Sequence, residues 1–133
     1  MRPWKITLSA LVGASLLVGG LALNAPAEEK TEKPLSIKQV MGKFHKGNPA
    51  LCGKASKGQA SEAELKEMLA GYEAICAQKP PKGDEEAWKA KCTALVNATK
   101  ALIEKKEGAA TAYGTAVNCK SCHDAHKGGG KAK

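Results

Sequence analysis

Arginine is nearly missing from this sequence. Arg2 is the single copy, although Lys+Arg reach 21 against 13 Asp+Glu and the formal net charge is +8. Nucleic-acid binders read phosphates and base edges through guanidinium forks, which lysine does not replace. The excess charge is therefore a lysine-coated surface, and no nucleic-acid partner is expected. Aromatic residues are scarce too, with one Phe, two Trp and two Tyr. A core with so few large side chains is marginal in a domain of about 100 residues, so something besides side chains is expected to help fill it. No segment alternates with the period of two that marks a half-buried strand, and no internal repeat is present. Hydrophobic residues at 43% and charged residues at 26% exclude a wholly disordered chain.

What is present begins with a leader. Arg2 and Lys5 precede a charge-free run from Ile6 to Leu23, and Ala25-Pro26-Ala27 supplies a small-x-small cleavage site. This is the layout of a secretory signal peptide over 1–27, cut before Glu28. A retained membrane anchor is the alternative, weakened by Gly13, Gly19 and Gly20. Export implies an oxidising space outside the cytoplasmic membrane, the periplasm. After cleavage the chain is expected to have no stable membrane insertion.

A polar linker over 28–34 leads into segments that all read as helix, giving one domain over 35–127 and a flexible Gly-rich tail over 128–133. Ile37, Val40, Met41, Phe44 and His45 follow the i, i+3, i+4 rule, and Gly47 stops that segment. Ser61 with Glu64 forms a capping box for a second helix, whose stripe runs from Leu65 through Met68 and Tyr72 to Cys76 before Pro80-Pro81. Asp84 caps a third helix with Trp88, Cys92, Val96 and Leu102 inward, and Gly108 is expected to close it. Thr99 interrupts that stripe and is expected to bond back one turn. A fourth helix is expected from Ala109 to His126, with Ala112, Tyr113, Ala116 and Val117 inward. The segment Asn48–Ala60 reads as a loop with one helical turn. The expected fold is all-α, an antiparallel four-helix bundle.

Cys119-Lys120-Ser121-Cys122-His123 is Cys-x-x-Cys-His, the attachment signature of a c-type haem. Two thiols spaced by two residues reach the two vinyl groups of one porphyrin, and the adjacent imidazole becomes the proximal iron ligand. On one continuous helix His123 shares a face with Ala116 and Ala112, which leaves room for a flat macrocycle. Gly114 is read as permitting close approach. Zinc held by Cys119, Cys122, His123 and His126 is the competing reading, although zinc knuckles draw their ligands from two short loops. A thioredoxin-like pair would need strands.

The stretch Cys-Lys-Ser-Cys-His-Asp-Ala-His-Lys near the C-terminus resembles the ending of the class II c-type cytochromes, the cytochrome c prime group and its low-spin relatives. His126 stands at the family's aromatic position and Lys127 at its basic one. Ile37-Lys38-Gln39-Val40-Met41 is similar to the Arg-Gln-x-x-Met stretch of the low-spin members, with Ile37 and Lys38 in place of arginine and glutamine. The resemblance covers about residues 35–127. It implies one covalent haem c on the last helix of a four-helix bundle, and a homodimer is among its expectations.

The function turns on the ligand opposite His123. Met41 and His45 lie four apart, on one helix face. Met41, the expected distal ligand on the strength of the resemblance, gives His/Met coordination and an electron carrier that resists gases. His45 is the alternative and gives bis-histidine coordination. With neither, the iron is five-coordinate and binds nitric oxide or carbon monoxide. The leading expectation is an exported monohaem cytochrome carrying single electrons, steered to acidic redox partners by Lys120 and Lys127. An electron carrier rather than an enzyme is expected, with a peroxidase as the third alternative: His45 is the sole candidate distal base and no arginine accompanies it. Of the other cysteines, Cys76 and Cys92 face each other across a short hairpin and are the preferred disulfide. Cys52 is left over, free to link two subunits, and its pairing with either remains open.

Overall fold

A computed structural model describes residues 33–129. The expected signal peptide over 1–27, residues 28–32 of the linker and residues 130–133 of the tail lie outside the described residues. Among the described residues there are six helices and no strand: α1 (Ile37–Phe44), α2 (Leu51–Ser56), α3 (Glu62–Cys76), α4 (Glu85–Ile103), α5 (Ala109–Ala116) and α6 (Cys119–His126). The protein is all-α over this range, and none of these helices is long and apolar enough to cross a membrane.

The helix ends follow from local chemistry. Ser36 opens α1 with a capping box: its hydroxyl accepts from the Gln39 N–H and its own N–H donates to Gln39 Oε1 at 2.9 Å. Ser61 and Glu64 do the same for α3, and the Asp84 carboxylate accepts the Ala87 N–H at 2.7 Å to open α4. Gly47, at φ 106°, turns the chain after α1. Thr99 is fully buried inside α4 and its hydroxyl donates to the Leu95 carbonyl at 2.8 Å, the back-bond its position required.

Packing closes these elements into a ring of neighbours: α1 lies on α3, α3 on α4, α4 on α5, α5 on α2, and α2 on α1. Trp88 Nε1 donates to the Gln78 carbonyl at 2.9 Å, and Lys100 pairs with Glu73 at 3.0 Å. Residue numbers rise along α4 as they fall along α3, so the two run antiparallel. Inside the ring Val40, Phe44, Met68, Tyr72 and Tyr113 have no solvent exposure. Gly71 permits the contact of α1 with α3, because a Cβ there would stand 2.5 Å from Phe44 Cε2.

Three expectations are corrected. The helix expected over Ala109–His126 is broken: Val117 (φ −80°, ψ 21°) and Asn118 (φ −59°, ψ 92°) leave helical geometry, and α6 starts afresh at Cys119. The Asn118 side chain accepts the Ser121 N–H at 3.0 Å, offering the backbone an N-cap that competes with continuing α5. Ala112, expected inward, is exposed, since the buried face of the short α5 runs through Ala109 and Tyr113. Gly108 does not close α4. That helix ends five residues earlier, with Lys105 at φ 53° in the left-handed position and Lys106 N–H bonded back to Ala101 O, while Gly108 opens α5. The segment Asn48–Ala60 holds the short helix α2.

Candidate functional site

Helix α6 carries the Cys-x-x-Cys-His residues, and the i, i+3, i+4 spacing puts Cys119, Cys122 and His123 on one face of it. Its own neighbour is α4. The Lys91 ammonium donates to Ser121 Oγ at 2.7 Å, and the His126 ring packs edge-on against Trp88 with centroids 5.4 Å apart. His126 Nδ1 donates to the Lys82 carbonyl at 3.2 Å. His126 is 2% exposed and its Nε2 has no partner, so this imidazole serves as the peg that seats α6. Gly83, at φ 84°, lies directly under the Ala125 carbonyl, where no Cβ fits.

Beside α6 opens a cavity of about 490 Å³, within the range of roughly 300–1,000 Å³ that small-molecule sites occupy. Cys119, Cys122 and His123 form one side of its lining, and Met41 and His45 of α1 contribute to the rest. All five residues singled out in the sequence thus meet at one cavity, though α1 and α6 are remote in sequence. Ile75, Trp88 and Leu95 supply apolar wall from α3 and α4. Cys119 and His123 are exposed at the cavity, Cys122, Met41 and His45 half-buried.

Burial, reinforced by the nearby His123, holds the His45 imidazole down to about 4, so it is neutral at physiological pH. Burial pushes the Cys122 thiol up, with Lys91 pulling the other way. Behind His45 stands a pair of tyrosines that local sequence reasoning assigned only to the core. Tyr72 Oη is 3.1 Å from His45 Nε2 and 2.7 Å from Tyr113 Oη, and burial raises both phenols. No local signal marks this pair, because the two tyrosines come from α3 and α5 and meet only through packing.

Comparison with protein families, curated proteins and solved structures found no match. The site stands on its own geometry.

Two readings of the motif's surroundings are corrected. The break at Asn118 takes His123 off the helix that bears Ala112 and Ala116; Ala116 still lines the cavity from α5, whereas Ala112 faces solvent. Gly114 is exposed, and a Cβ there would meet only Ser56 Cβ at an ordinary 3.8 Å, so no close approach of a neighbouring helix depends on it. The four-ligand zinc set is not assembled either. His126 is turned to Lys82 and Trp88, outside the cavity lining, and among the described residues no group of three or more His, Cys, Asp or Glu converges on a metal position.

Burial pushes the Cys76 and Cys92 thiols up, with each thiol also acting on the other, and both are free thiols here, as is Cys52. A second cavity of about 230 Å³ lies near the start of α3 and the end of α4. Its lining includes Leu65, Leu102 and the charged residues Glu62 and Lys105, with no thiol or imidazole.

Proposed function

We propose that this protein is an exported monohaem c-type cytochrome that carries single electrons between partners, a relative of the class II cytochromes with a helical-bundle fold. The observation that carries the reading is the shared cavity. Both thiols and the imidazole of the attachment motif line it, and so do the two candidate distal ligands of α1. The donor set suits a haem: two thiols for thioether bonds, an imidazole for the proximal position and a thioether sulfur for the sixth. Cys119 and Cys122 would hold the porphyrin, His123 the iron, and Met41 the opposite position, with His45 as the alternative.

When bound, the haem iron supplies the one-electron couple. The chain's own residues do the rest. Ile75, Leu95 and Trp88 would give the bound group an apolar wall, and the lower dielectric on that side would tune its redox couple. The Lys91–Ser121 bond and the His126 peg hold α6, and with it the three attachment residues, against α4. Exposed Lys127 and Lys120, the latter paired with Asp124 at 2.6 Å, surround the motif with basic charge suited to an acidic partner.

The test is an absorption spectrum of the full chain expressed with haem-maturation machinery, oxidised and reduced, with and without carbon monoxide. Haem that survives denaturing extraction, in a low-spin spectrum unmoved by carbon monoxide, is the expected result. Loss of all haem on extraction would overturn the reading. A high-spin spectrum shifted by carbon monoxide would replace electron transfer by gas binding at an open iron.

A further inference from the structure

The hydrogen bonds behind His45 have a direction. Tyr72 and Tyr113 have no solvent exposure, and among the described residues the Tyr113 hydroxyl has no polar partner except Tyr72 Oη. Two buried phenolic protons therefore need acceptors along a line of three groups. If Tyr113 donates to Tyr72 and Tyr72 donates to His45 Nε2, both protons are satisfied. In the opposite sense His45 donates to Tyr72 and Tyr72 to Tyr113, which strands the Tyr113 proton. Leaving a buried donor unmet is costly enough to decide the direction. His45 is then the tautomer protonated at Nδ1, with its one free lone pair, on Nε2, already committed to Tyr72. Met41 lines the same cavity, and among the described residues its sulfur has no hydrogen-bond partner.

We propose that Tyr72, backed by Tyr113, is a positioning residue that withholds His45 from the iron and so leaves the sixth position to Met41. The inference rests on the haem reading above and deepens it. The histidine on the cavity wall is a restrained competitor, and a phenol one helix away selects the ligand set. To coordinate through Nε2, His45 must give up the 3.1 Å bond to Tyr72, and to coordinate through Nδ1 it must reverse that bond; either way a buried phenolic proton loses its acceptor.

The test compares the haem-loaded full chain with its Tyr72→Phe, His45→Ala and Tyr72→Phe/His45→Ala variants. The oxidised spectrum is read for the sulfur-to-iron charge-transfer band, and the reduction potential is measured alongside. The wild type and His45→Ala are expected to show the band. Tyr72→Phe, which keeps the ring, is expected to lose it and to shift to a lower potential as imidazole replaces thioether. Tyr72→Phe/His45→Ala is expected to regain the band. A band that persists in Tyr72→Phe, or that stays lost in the double variant, would overturn the assignment. So would a wild-type haem protein lacking the band, or its loss in His45→Ala, a comparison that stands even where Tyr72→Phe does not fold. Absence of covalent haem from the wild type would instead sink the underlying cytochrome reading.

Discussion

Gly71 and Gly114 sit in helices and look alike in the sequence, yet their neighbours give them opposite roles. An added methyl at Gly71 meets the buried Phe44 ring at 2.5 Å, so Gly71→Ala is expected to cost about 1–3 kcal/mol through overpacking. At Gly114 the added methyl meets Ser56 at 3.8 Å, and Gly114→Ala is expected to stabilise by about 0.5–1 kcal/mol. Urea unfolding of the two variants checks both signs. The cysteines follow the same logic of neighbours. Cys76 and Cys92 act on each other's titration, whereas neither acts on that of Cys52 on α2. Under oxidising conditions Cys76 and Cys92 are expected to escape alkylation together while Cys52 is labelled. Mass spectrometry of the alkylated chain reads this, and labelling of all three would refute the pairing.

At the scale of the element, α6 depends on one cap and one peg. Asn118→Ala removes the bond to the Ser121 N–H and is expected to cost about 1 kcal/mol. Hydrogen exchange should quicken in Cys119–His126 and stay unchanged in α3 and α4; uniform acceleration would show the cap to be irrelevant. Helix α2 is tied to α3 by Lys54 and Glu64, 2.6 Å apart and one third exposed. The Lys54 ammonium, with the Ser61 N–H, holds the Glu64 carboxyl at about 2, against an ordinary 4.5. Between these values the unfolded chain binds the proton that the folded one refuses, so acid favours unfolding. The contribution is complete above pH 4.5 and declines as pH falls toward 2. Lys54→Met is expected to flatten the stability profile over that window, measured by chemical unfolding at successive pH values.

For the whole molecule, on the electron-carrier reading, the excess of lysine over acidic residues that remains after residues 1–27 are removed, together with the lysines near the Cys-x-x-Cys-His motif, predicts how a partner is met. Electron exchange with an acidic partner should slow steeply as salt is added, because screening at 0.1 M confines attraction to about 10 Å. Stopped-flow rates across ionic strength check this, and a flat profile would dispose of steering. The pairing of Lys120 with Asp124 leaves Lys127 the greater share, so Lys127→Gln should reduce the salt dependence more than Lys120→Gln.

Helical class was legible in the residues because its determinants are local. Ser61 with Glu64, Asp84, and the stripes from Leu65 to Ile75 and from Trp88 to Leu102 act within a few positions of themselves. The motif Cys119–His123 was legible for the same reason. What escaped was decided by competition or by contact. Asn118 carries both an N-cap preference and a place inside an apparent helix, and only the docking of α6 on α4 through His126 and Lys91 shows which prevails. Lys105 takes the left-handed position expected of Gly108, which instead opens α5. The sequence by itself determined that the chain is helical and where its thiols and imidazoles lie along it. Only the tertiary structure decided that Met41, His45 and the attachment residues share one cavity, and that Tyr72 and Tyr113 stand behind His45, because these groups meet through side-chain packing between helices far apart in the chain.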